Sequence, residues 1–170
     1  MRGTIEVHRY LTERGVPHEF YRLERPLRHV KEVAALLGLD PTIVVQAELF
    51  HASTQHVLAL TAASMGATSA AVASAVGVPR ARQLTKGRTA AYTGFLPDWL
   101  PPVGHERPSK ALIDEALVDA DVLYAPAGDP GVMLVLPSHG LFRATAATVA
   151  ALSGAPEPET APSAAAPTLS

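Results

Sequence analysis

Between residues 4 and 14, Ile5, His8, Leu11 and Thr12 fall on one stripe at helical spacing. Gly15 is placed as a left-handed stop with Pro17 beyond it, so the pattern predicts an opening helix. Residues 18–23 alternate well enough for a short strand, which Pro26 ends. Val30, Val33, Ala34 and Leu37 return to a helical period that Gly38 closes, and Asp40 with Pro41 suits a cap and first-turn proline for one further short turn. The character then changes. Residues 43–50 are β-branched and apolar, which predicts a buried strand, while 51–55 read as a hairpin loop and 56–61 as its antiparallel partner.

In the second half, residues 69–76 are alanine-rich with Val72, Ala75 and Val76 grouped, and Gly77 and Pro79 stop them, giving a short packed helix. Thr85 is placed to cap another helix that runs to about residue 91. Residues 111–113, 122–124 and 132–136 read as strands, the last preceded by a Gly-Asp-Pro-Gly turn at 128–131. Ser138 and Thr145 can start closing helical turns that reach Leu152. From Gly154 onward the chain has almost no large apolar side chain, so burial cannot offset the entropy of ordering it. The expectation is one domain over residues 1–153 and a disordered Ala/Pro-rich tail over 154–170. Strands and helices alternate irregularly, which predicts an α+β fold with a mixed, curved sheet and packed helices.

Composition narrows the chemistry. The 170 residues, 48% hydrophobic and 18% charged, suffice to bury one core. No apolar run of about 18 residues occurs and the start is amphipathic, so neither a membrane span nor a signal peptide is expected, and the cytoplasm is the expected compartment. The absence of cysteine excludes disulfides, thiol nucleophiles and thiolate metal sites. No phosphate-cradling glycine loop is present. Ser109 with His105 and Asp114, and the Ser138-His139 pair, have the residue types of hydrolases without a nucleophile elbow. His51 and His56 flank the hairpin, but no third ligand is evident, so no metal and no cofactor are expected. With a formal charge of −2, contact with nucleic acid must come from a local basic surface. Arg80, Arg82, Lys86 and Arg88 are the candidates for phosphate contacts, a solvated turn being the alternative.

Two segments carry a resemblance: EVAALLGLDPTIVVQAELF at residues 32–50, and YTGFLPDWLPPVG at 92–104. Together they resemble the YbaK/EbsC family of aminoacyl-tRNA deacylases, the prolyl-tRNA-synthetase-associated editing domains, over roughly residues 3–152. The family places a lysine on the strand after the turn proline, and Gln46 stands there in this chain. The resemblance implies the same fold, Gln46 in the catalytic position, and a substrate pocket drawing on Thr93, Gly94, Asp98, Pro101, Pro102, Gly104, Asp114 and Gly128. Asp98 and Trp99 occupy the positions of two family glycines. Asp98 there suits a substrate ammonium group, while Trp99 suits either stacking on the terminal adenine or ordinary core packing. Its implied partners are the acceptor end of an aminoacyl-tRNA and a cognate aminoacyl-tRNA synthetase.

The implied reaction is hydrolysis of the ester of a mischarged aminoacyl-tRNA, for which a protein must hold the carbonyl, stabilise the oxyanion and position water. A glutamine amide keeps two donors and one acceptor but gives a neutral hydrogen bond in place of a charge-assisted one. The reading open beside an altered deacylase is an inactive module that binds aminoacyl-tRNA or a small aminoacyl ligand. The features that separate them are residue 46 and its surroundings: a positive charge from Lys31, Lys86 or Lys110 beside Gln46 would favour the enzyme.

Overall fold

Helix α1 (Thr4–Glu13) buries Val7 and Leu11, one turn apart on its inner stripe. Gly15, at φ +66°, turns the chain out of it. The computed structural model describes residues 1–153, so the tail expected over 154–170 lies outside the described residues. After strand β1 (Glu19–Arg22), a 3₁₀ turn (Val30–Glu32) runs straight into α2 (Val33–Leu37). A second 3₁₀ turn (Pro41–Ile43) is capped by Asp40, whose carboxylate accepts from the Thr42 amide at 2.9 Å and its hydroxyl at 2.8 Å. Strands β2 (Val45–Ala52) and β3 (Gln55–Ala62) follow, then α3 (Ser69–Val76), β4 (Ala81–Gln83) and α4 (Lys86–Thr93). A third 3₁₀ turn (Pro97–Trp99), β5 (Lys110–Asp114), a fourth turn (Glu115–Leu117), β6 (Val122–Pro126), β7 (Val132–Pro137), α5 (Ser138–Thr145) and β8 (Thr148–Ala150) complete the order.

The α+β class is present, with its strands divided into two sheets. A mixed five-stranded sheet has the order β4-β2-β3-β5-β8, and a three-stranded antiparallel sheet has the order β1-β7-β6. They meet where Val44 bridges Tyr124, just before β2 begins. Three expectations are corrected. The inner stripe of α1 is Val7 and Leu11, while Ile5, His8 and Thr12 are exposed. The hairpin loop is only Ser53 and Thr54, because His51 pairs with His56 and Ala52 with Gln55, and Ser53 takes up the turn at φ +59°. Residues 81–83, for which the sequence predicts no element, form an edge strand on β2. The closing segment is β8, which runs parallel to β5; Ala146 at φ +52° ends α5, and the β-branched Thr148 and Val149 suit the extended edge.

Period-two alternation sorts the β2–β3 hairpin between two cores. Val45, Ala47, Leu49, Leu58, Leu60 and Ala62 join α1 and Phe95 in the main cluster. Phe50, Ala52, Val57 and Ala59 face Val72 of α3 and Leu112 of β5. A third cluster packs Trp99 with Val30, Val33, Val44 and Met133, so the single tryptophan ties the first 3₁₀ turn to the third. Asp114 closes the far end of the sheet. Buried at the end of β5, its carboxylate accepts from the Leu152 amide at 2.8 Å and the Ser153 hydroxyl at 2.7 Å, which holds the chain beyond β8.

Asp114→Ala leaves those donors unmatched and should cost about 2–4 kcal/mol of stability. Urea unfolding measures this; an unchanged midpoint would mean that the clamp is dispensable.

Candidate functional site

Strand β2 is bonded to β3 along its whole length but to β4 only from Phe50 to Ala52. Its first half is therefore an open edge, and a cleft of about 230 Å³ lies against it. In an antiparallel ladder alternate residues bond to one side. Val44 C=O accepts from Ala63 N on the β3 side, and Leu49 C=O accepts from Leu84 N on the other, so Ala47 turns its N–H and C=O toward the cleft. Because β4 pairs with β2 only from Phe50 to Ala52, the ladder offers neither group a partner on that side.

Gln46 and Glu48 both line the cleft and, two residues apart on the strand, share a sheet face. Glu48 is committed to holding structure. One carboxylate oxygen accepts from Ala67 N at 2.9 Å and the other from Gln83 Nε2 at 3.0 Å, so it fixes both the turn after β3 and the end of β4. Gln46 has a free amide among the described residues. Gly66, at φ +76°, passes so close that an added Cβ would lie 3.3 Å from Gln46 Nε2. The register partner of Gln46 is Thr61, fully buried, whose hydroxyl has no hydrogen-bond partner.

The opposite walls bring charge. Lys31 reaches the cleft from the Val30–Glu32 turn, where buried Val30 anchors it, with His29 beside it. Lys86 and Asp98 enter from α4 and the Pro97–Trp99 turn and pair at 2.9 Å. Both ends of that pair are exposed, so it orients the two side chains more than it stabilises the fold. No carboxylate lies within ion-pair distance of Lys31 among the described residues. The cleft thus presents an unpaired cation, an amide and a free backbone edge together.

The other residues named from the sequence are distributed around this centre. Of residues 92–104, only Pro97, Asp98 and Leu100 line the cleft. Thr93 is buried, donating to Thr89 C=O at 2.8 Å and accepting from Phe95 N at 3.2 Å. Gly94 caps α4 at φ +84°, and its C=O accepts from Arg2 N. Pro101 C=O accepts from half-buried His105 at 2.6 Å. Burial pushes the His105 pKa down, so the ring is held neutral with its proton on Nε2 toward that carbonyl. Pro102 and Gly104 line a separate depression against α1, and Gly128 packs so tightly on Phe95 that a Cβ would come within 2.8 Å. Asp114 is occupied by the C-terminal clamp. Trp99 is 4% exposed and core-packed. Arg82 and Arg88 border a second pocket on the far side of Gln83, and Arg80 continues that rim.

Sequence reasoning did not single out Glu48, Ala47, Gln83 or Thr61. Glu48 carried a signal, as the one acid in the strand and two positions from Gln46. The backbone groups of Ala47 carried none, because their freedom depends on how short β4 is.

Comparison with known proteins follows the same outline. A family model described as an aminoacyl-tRNA editing domain matches residues 24–144. Curated protein sequences give no match. Among solved structures, a proposed trans-editing enzyme for prolyl tRNA synthetase superposes with a TM-score of 0.82 at 27% identity, covering 89% of this chain and 97% of the other. A scaffold protein from computational epitope grafting gives 0.80 at 29%, with the same coverages. A hypothetical protein at 22% identity gives 0.81 over 88% of this chain and 99% of its own, a likeness of fold.

Thr61→Val removes a buried hydroxyl that has no partner while keeping the shape, and should raise stability by about 1 kcal/mol. A measured loss of stability would mean that the hydroxyl is bonded to Gln46 in solution.

Proposed function

The chain belongs to the aminoacyl-tRNA editing domain family, and from that premise we propose that it is a trans-editing deacylase hydrolysing the ester of a mischarged aminoacyl-tRNA, with Gln46 and Lys31 sharing the task of the family's strand lysine. The observation that carries this reading is that Lys31, without an acidic partner among the described residues, lines the same cleft as Gln46. The positive charge missing from the strand is supplied from the wall.

In this scheme Gln46 Nε2 and the free Ala47 N–H donate to the ester carbonyl, and Lys31 stabilises the negative charge that develops on it. Water adds to the carbonyl carbon. The tetrahedral intermediate then collapses and expels the ribose oxygen, which takes the proton that the water gives up, leaving free amino acid and a tRNA with its hydroxyl restored. The neighbouring ribose hydroxyl of the substrate assists in activating the water. Asp98, held at the mouth by Lys86, is placed for the substrate's α-ammonium group. Thr93, Gly94, Pro101, Pro102, Gly104 and Gly128 act at one remove, by fixing the ends of the segment that presents Pro97, Asp98 and Leu100. Arg80, Arg82, Lys86 and Arg88 meet backbone phosphates, and a prolyl-type aminoacyl-tRNA synthetase is the natural partner.

Hydrolysis of alanyl-, cysteinyl-, seryl- and prolyl-tRNA should identify at least one substrate. On it Gln46→Ala should slow deacylation by about 10² to 10³, and Lys31→Met by a comparable factor. Silence of the native protein on every species, with activity gained by Gln46→Lys, would overturn the enzyme and leave a binding module.

A further inference from the structure

Gln83 lines the cleft on one side and a second pocket, of about 370 Å³, on the other. The second pocket is built by three adjacent strands in one row. His56 on β3 pairs with His51 on β2, and His51 with Arg82 on β4, and register partners project on the same face. Their neighbours complete a basic enclosure. Arg88 and Thr85 close it from the start of α4, and no carboxylate lines it.

The two histidine rings lie 5.2 Å apart at 65°. His56 is also stacked on Tyr92 at 3.9 Å and 17°, and Arg107 sits 5.7 Å from the centre of that tyrosine ring. Tyr92 is fixed in turn by donating to Pro108 C=O at 2.7 Å. Among the described residues no third ligating side chain joins the pair, so the pocket suits an anion rather than a metal cation. Its surroundings agree with this. Arg80 extends the basic rim outward from His51 and Arg82, on a chain whose overall charge is −2.

We propose that this pocket is the subsite for the phosphodiester next to the aminoacylated nucleotide, and that protonation of His56 tightens its grip. The inference rests on the editing reading for the identity of the nucleic acid, and adds to it a pH-regulated contact made by residues outside the cleft. Burial, followed by the neighbouring His51 and Arg107, pushes the pKa of His56 down. These surroundings favour the neutral ring, and a bound phosphate favours its charged form. The sign follows from linkage: affinity is greatest at acid pH and is lost as pH rises through the titration of the bound state. Arg82, Arg88 and Arg107 face the pair or its stacking partner, and their guanidinium groups supply a pH-independent part.

The test is the affinity of uncharged tRNA for the full chain from pH 5.5 to 8 at fixed ionic strength, read by fluorescence anisotropy, with hydrolysis of charged tRNA followed in parallel. Native protein should bind more tightly at the acid end, by roughly tenfold for each pH unit by which the phosphate raises the pKa of His56. The double variant His51→Asn/His56→Asn should lose that slope while remaining folded by circular dichroism. Arg82→Gln, on an exposed edge strand, should weaken binding at every pH and lower the salt dependence by about one phosphate contact. A flat native profile, or a slope retained by the double variant, overturns the subsite. Histidine-dependent binding without hydrolysis of any charged species would uphold the subsite and remove the editing reading; hydrolysis with flat binding would do the reverse.

Discussion

The pairing register of β2 with β3 is the constraint on which the rest of the molecule depends. Eight consecutive pairs run from Val45 opposite Ala62 to Ala52 opposite Gln55, closed by a two-residue turn. Side chains alternate faces, so a slip of one residue would move Val45, Ala47 and Leu49 out of the main core and replace them with Gln46 and Glu48. A one-residue slip would bury an acid and an amide and expose three apolar residues, which makes the register strongly determined. It also sets the function-bearing geometry: Gln46 beside Gly66, Glu48 reaching Gln83, and His51 opposite both His56 and Arg82.

The shortness of β4 matters as much as the length of β2. A full-length partner would pair the backbone of Ala47 and leave no open edge. Instead β4 stops at Gln83, where Glu48 holds it, and the chain turns into α4 through Thr85, whose hydroxyl accepts from Arg88 N at 3.2 Å. The same turn brings Lys86 to one pocket and Arg88 to the next. Across the cleft, Trp99 of the turn that carries Asp98 packs on Val30 of the turn that carries Lys31, so a buried hydrophobic contact sets the spacing of charges that do not touch each other.

Most of the fold was legible because the long elements obey simple periods. The α1 helix and its glycine stop, the apolar run of β2 and the capped turn at Asp40 all follow from local sequence, whereas the buried face of α1 does not: Val7 and Leu11 face inward while Ile5, His8 and Thr12 are exposed. Strands β4 and β8 were not legible, being three residues each, one carrying Arg and Gln, the other following alanine and threonine that suit a helix equally well. The site divides in the same way. Gln46 could be named because a motif surrounds it, whereas the choice of Lys31 over Lys110 depends on tertiary packing around Val30 and Trp99. Glycines 94, 104 and 128 stood out in the sequence. Their positive φ angles and close contacts with Arg2, α1 and Phe95 explain why glycine is needed there, at positions beyond the cleft wall.

The central claim is that the substrate's acyl carbonyl is held at the open edge of β2 by the Gln46 amide and the Ala47 N–H. The most direct measurement is NMR of the isotopically labelled protein titrated with an adenosine whose aminoacyl group is joined through a non-hydrolysable amide. The account predicts that the Gln46 side-chain NH₂ and the Ala47 backbone N–H resonances both move on binding, with donor–acceptor distances of about 2.9 Å in the refined complex. Saturation by the analogue with both resonances unmoved would contradict it.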